Sequence, residues 1–126
     1  MTHWSHQYIG KPYTEADCAQ LAILVLKNEF NQVVNLPTER GDNVFSLSSQ
    51  IAKHQGDYAE KTNRPTEGDA VLMRCRGRLN HIGIYCDISG QAYVLHALRG
   101  AGQACLHRLD ALPGLSLEVE GFYRWR

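Results

Sequence analysis

Pro65-Thr66-Glu67-Gly68-Asp69-Ala70-Val71-Leu72-Met73-Arg74-Cys75-Arg76 is where the chain changes its period. Thr66 to Asp69 carries turn chemistry, and Ala70 to Arg76 reads as a strand. Downstream, short apolar runs alternate with turn residues. Gly77-Arg78-Leu79-Asn80 predicts a hairpin turn, with His81 to Asp87 returning. Ser89-Gly90 predicts the next turn, and Gln91 to Ala97 a third strand. Gly100-Ala101-Gly102 turns again, and Ala104 to Leu109 and Leu117 to Tyr123 complete the set. Five short strands at this spacing predict an antiparallel meander, curled into a half-barrel.

Upstream of Pro65 the spacing is helical. Ala19, Ala22, Val25 and Leu26 share one face over Cys18 to about Phe30, and Leu21 and Leu24 widen it. So broad an apolar face belongs to a core helix. Asp17 stands where an N-cap should, able to accept from the unpaired N–H groups of the first turn. A second, less regular helical stretch is expected over roughly Val44 to His54. Residues 1 to 16 read as an irregular approach, with turn chemistry at Gly10-Lys11-Pro12-Tyr13. Helices first and strands after give an α+β class, with N-terminal helices on a mostly antiparallel five-stranded sheet. At 126 residues the chain is the size of one domain, taken as 1–126.

Composition narrows the function classes. Thirteen basic residues balance thirteen acidic ones, which gives no electrostatic case for nucleic acid or an anionic membrane surface. No run approaches the ~20 apolar residues of a membrane span. The N-terminus lacks the charged and apolar regions of a secretory signal, so synthesis in the cytoplasm is expected. Of the four cysteines, Cys18, Cys75, Cys86 and Cys105, none form a C-x-x-C pair. Zinc knuckles and redox motifs are therefore not expected, and neither are disulfides. Cys75, Cys86 and Cys105 read as small buried hydrophobes.

Cys18 stands apart, at the first turn of the predicted helix. The positive end of the helix dipole and its free N–H groups favour thiolate, so a depressed pKa is expected there. The same donors are suited to an oxyanion. A thiol nucleophile also needs a base in reach. Among six histidines, His3, His6 and His54 lie in polar context, and His107 alternates with Leu106 and Leu109 in a pattern of exposure. His81 opens the strand His81-Ile82-Gly83-Ile84-Tyr85, and His96 lies near the end of Tyr93-Val94-Leu95-His96-Ala97. Pairing these strands as a hairpin would set the two imidazoles side by side. One would then serve the thiol while the other orients it.

These segments together resemble the NlpC/P60 cysteine peptidase family. Tyr8-Ile9-Gly10-Lys11-Pro12-Tyr13 followed by Asp17-Cys18 is similar to the family's start. Pro65 to Leu72 resembles its proline-glycine-aspartate strand entry, Asn80 to Tyr85 its histidine strand, and Leu95-His96-Ala97 its third polar position. The resemblance runs from about Tyr8 to Arg124. It implies a papain-like fold without cofactor, and hydrolysis of peptidoglycan stem peptides at the γ-D-glutamyl–diamino acid bond. In the implied scheme Cys18 is the nucleophile, His81 the base and His96 the residue that orients it. Tyr13 would line the oxyanion hole, and Asp17 would recognise the substrate's free amino end. The ending Gly121 to Arg126 looks similar to phage tail-associated members. That implies tail proteins as partners, and action on the cell wall as a virion component or delivered effector.

The chain departs from the family where Ala19 and Gln20 stand in place of serine and glycine, and where the loop before Cys18 is shortened. These changes fall on the substrate pocket. They leave open a thiol amidase, deamidase or acyltransferase acting on another substrate. A structural module without turnover is a third reading, and a Cys18/His81/His96 zinc site a fourth, disfavoured by the lack of a close ligand pair.

Overall fold

The computed structural model describes residues 3–33 and 59–125. The helix expected over Val44 to His54 lies outside the described residues. The long helix α1 spans Cys18–Phe30 and buries Cys18, Ala19, Leu21, Ala22, Val25 and Leu26. Asp17 caps it as expected. Its Oδ1 accepts from Gln20 N at 2.9 Å, and Gln20 Oε1 accepts from Asp17 N at 3.1 Å, a reciprocal capping box. Asn31 ends the helix in the left-handed region, at φ 52°.

The strands are β1 (Ala59–Thr62), β2 (Ala70–Cys75), β3 (Arg78–Ile88), β4 (Gln91–Leu98), β5 (Gln103–Arg108) and β6 (Leu117–Trp125). Among the described residues they form one antiparallel sheet of six strands, not five, in the order β1-β6-β2-β3-β4-β5. The meander holds from β2 to β5. The final strand, however, returns beside β2 and carries β1 on its far edge. Ala59-Glu60-Lys61-Thr62 has too few apolar residues to announce a strand, and its partner is the distant β6.

Both tight hairpins are set by positive φ at two successive residues. These are Arg76 (54°) with Gly77 (80°), and Ser89 (54°) with Gly90 (80°). That geometry matches strand twist, so β3 begins at Arg78, earlier than the expected His81. A 3-10 helix over Leu109–Leu115, absent from the sequence reading, links β5 to β6.

The sheet separates two apolar clusters. Helix α1 packs with Ala70, Leu72, Ile82, Ile84, Cys86, Leu95 and Ala97. Val71, Met73 and Val94 gather with Leu112 and Leu117. Alternate residues of β2 thus go to opposite layers. Cys86 is fully buried, but Cys75, at the end of β2, and Cys105, in the edge strand β5, are half-buried, which corrects the expectation that all three are core residues. Among the described residues no helix is long and apolar enough to cross a membrane.

Candidate active site

The placement of Cys18 follows from where two strands part. On β3, Tyr85 N donates to Asp69 O at 2.8 Å, so Tyr85 bonds toward β2. Successive residues of a strand point their N–H groups to opposite sides, so Ile82 and Ile84 bond toward β4. The β3–β4 ladder stops at Ile84 paired with Leu95. Beyond that pair the Ile82 N–H has no strand partner, and it acts instead on the Cys18 sulfur. The N–H groups of Ala19 and of Cys18 itself act on the same sulfur. The thiol therefore sits at the helix mouth, in the opening between β3 and β4, against the residue that follows His81.

Burial decides the resting state of that thiol. Cys18 is 1% exposed, and removal from water pushes its pKa up to about 12, with Asp17 adding to the rise. The three N–H groups pull the other way and do not prevail. The depressed pKa expected from the helix position is thus overturned. The dipole of one helix end contributes on the order of 1 kcal/mol, less than a thiolate loses on full desolvation.

The two predicted histidines come together. His81 Nε2 and His96 Nδ1 are hydrogen bonded at 2.8 Å. Their rings meet edge to face, with centroids 5.0 Å apart. Burial lowers His81 to about 4. It lowers His96 to about 3, with His81 and His107 adding to the fall. Both rings are therefore neutral at pH 7. Gly83 makes this contact possible. A Cβ there would run into Val94 Cγ1 and lie 3.1 Å from Leu95 O and 3.2 Å from His96 Cβ. The missing side chain lets β4 close on β3 at the height of His96.

A third imidazole, not foreseen, extends the row. His96 Nε2 and His107 Nδ1 are hydrogen bonded at 3.0 Å, with ring centroids 5.2 Å apart. Val94 pairs with His107 and His96 with Cys105, so His96 and His107 share one face of the sheet on a diagonal. The signal was present in the sequence. Once β4 and β5 pair, His96 and His107 come within diagonal reach.

Tyr13 is held beside the site by the segment before the helix. Gly10 N donates to Ala104 O, Ala104 N to Lys11 O and Tyr13 N to Gly102 O, each at 2.9 Å, which lays this segment along the edge of β5. Burial raises the Tyr13 pKa, and the nearby Cys18 and Asp17 add to it. The structure thus gathers Tyr13, Asp17 and Cys18 at the helix mouth, and His81 and His96 in a row on the adjoining strands. Among the described residues no hydrogen bond joins Cys18 Sγ to the His81 ring, and no group of three or more ligating side chains suits a metal ion. A cavity of about 700 Å³ near Arg74, Leu112 and Val119 holds none of these five residues.

The fold and site define an α+β protein with a helix-capped cysteine set against a row of imidazoles on an antiparallel sheet. The chain belongs to the NlpC/P60 family, whose model matches residues 4–109. That family comprises peptidases and amidases of the cell wall, in general hydrolases acting on peptidoglycan. No curated protein and no solved structure matches the chain.

Proposed function

We infer that the protein is a cysteine hydrolase of papain-like design that cleaves an amide bond in peptidoglycan stem peptides, the γ-D-glutamyl–diamino acid bond. The observation that carries this reading is the hydrogen-bonded His81–His96 pair on the strands beside the buried Cys18 at the mouth of α1. Cys18 Sγ attacks the carbonyl carbon. His81, bonded to His96 through Nε2, has Nδ1 left to take the thiol proton. It later returns that proton to the leaving amine. Water then hydrolyses the thioester by the same route.

Thiol and imidazole both start neutral, so proton transfer accompanies attack rather than preceding it. The N–H groups of Ile82 and Ala19, which fail to ionise the resting thiol, favour the negative charge on sulfur as its proton leaves. His96 holds the His81 ring in place. Tyr13 supports the oxyanion, together with the Cys18 N–H. The Asp17 carboxylate, besides capping the helix, attracts the free amino end of the stem peptide. On this reading the enzyme works at the cell wall, and the partner it needs is its peptide substrate.

Gln20, tied into the capping box, and Ala19 stand where the family resemblance leads one to expect glycine and serine. That favours a neighbouring amide of the wall as the second reading. Digestion of purified peptidoglycan, with mass analysis of the released fragments, separates the two. Wild type should release fragments ending at D-glutamate, and Cys18→Ala should release none. Identical fragment profiles for the two proteins would remove the hydrolase reading.

A further inference from the structure

The row of three imidazoles has a property that a pair lacks. Each of its two N···N contacts, His81 Nε2 to His96 Nδ1 at 2.8 Å and His96 Nε2 to His107 Nδ1 at 3.0 Å, needs one proton between two ring nitrogens. A neutral imidazole carries one N–H and one lone pair. The middle ring, His96, is fully buried, and among the described residues its side-chain partners are the other two imidazoles. Among the described residues no carboxylate is hydrogen bonded to it to offset a charge, so His96 stays neutral.

A neutral His96 then couples the two contacts, and two orders are possible. In the outward order His81 and His96 both carry their proton on Nε2, and His107 Nδ1 accepts at the end of the row. In the inward order His107 Nδ1 donates to His96, and His96 Nδ1 donates to His81. The proton of a neutral His81 must then sit on Nδ1, where it blocks uptake of the thiol proton. The outward order alone leaves His81 Nδ1 with a lone pair.

We propose that His107 is a positioning residue. A base at His81 Nδ1 requires the outward order, and His107 Nδ1, held 3.0 Å from His96 Nε2 on the edge strand β5, is the acceptor that holds it. His107 is half-buried, unlike His96, and it touches no reacting atom. Its effect passes through the tautomer of His96. The proposal rests on the hydrolase reading given above, but its test is independent of turnover.

The test is a long-range ¹H–¹⁵N spectrum of the imidazole nitrogens of the ¹⁵N-labelled full chain, without substrate, near pH 7. Wild type should show His81 and His96 each protonated on Nε2 and bare on Nδ1. In His107→Leu the outer acceptor is gone, so both rings should show mixed protonation. In His107→Asn the amide oxygen occupies the place of Nδ1 and should restore the wild-type pattern. His107→Thr, a small residue suited to a strand, gives a second variant should leucine disturb β5. In turnover of stem peptides, kcat should fall at least ~10-fold in His107→Leu with KM unchanged, and recover in His107→Asn.

A His81 proton on Nδ1 in wild type would overturn the proposal. So would unaltered ring protonation in both the leucine and threonine variants. If no variant, wild type included, turns over peptidoglycan while the spectra follow the expected series, the hydrolase reading falls and the assignment of His107 stands.

Discussion

Gly83→Ala is the substitution that most sharply couples the fold to the site. The new methyl would overlap Val94 Cγ1 and lie 3.1 Å from Leu95 O and 3.2 Å from His96 Cβ. Val94 is fully buried, so its side chain has little room to turn away. Relief must come from β4 moving off β3, by on the order of 1 Å, as overpacked sites do. The His81–His96 contact, now 2.8 Å, would then open beyond hydrogen-bond length. Overpacking of this kind costs ~1–3 kcal/mol, and the lost hydrogen bond adds ~1 kcal/mol. A misplacement of that size at a catalytic group costs ~10²-fold in rate. Urea unfolding should give a lower midpoint with an unchanged slope. Turnover of stem peptides by the folded variant should fall by about two orders of magnitude. A variant with wild-type midpoint and wild-type turnover would refute the claim that the absent side chain lets the two histidine strands meet.

Three further outcomes follow from the same geometry. His81 and His96 lie below the ordinary imidazole value of 6.5 when folded, at about 4 and about 3, so the unfolded chain binds protons that the folded chain refuses. Stability is then full above pH 6.5 and falls as pH drops toward 4, with His81 alone responsible for about 3 kcal/mol; urea midpoints that stay level across this window would contradict it. The Cys18 thiol, pushed up to about 12, should react slowly with a small haloacetamide at pH 7 and faster at each step up to pH 10, without the low-pH plateau that a thiolate–imidazolium pair gives. Asp17→Ala should cost ~1 kcal/mol of stability through the lost cap, whereas Asp17→Ser should keep stability and still raise KM for stem peptides; equal KM in Asp17→Ser and wild type would confine Asp17 to capping.

Local signals carried much of this structure. The helix from Cys18 and its Asp17 cap were legible because periodicity and capping are set within a few residues. The strands from β2 to β5 were legible because their turns lie between them, and the meeting of His81 and His96 followed from that pairing. What escaped the sequence depends on distant partners. Strand β1 owes its existence to β6, some sixty residues further along the chain. The return of β6 beside β2 leaves no local mark. His107 reads as an exposed strand residue because its partner lies on the neighbouring strand β4, and strand alternation alone does not say which ring it will meet. The charge state of Cys18 escapes the sequence for a related reason. The favourable helix mouth is visible in ten residues, whereas the burial that outweighs it is assembled from α1, β3 and β4 together.

The central chemical step is a covalent event at one sulfur. Rapid mixing of the protein with a stem peptide, an acid quench, and intact-mass measurement with peptide mapping read that event directly. The expected result is a thioester to Cys18 carrying the acyl half of the peptide, in wild type and not in Cys18→Ala. Peptide cleavage that persists in Cys18→Ala, or an adduct mapped to Cys75, Cys86 or Cys105 instead, would contradict it.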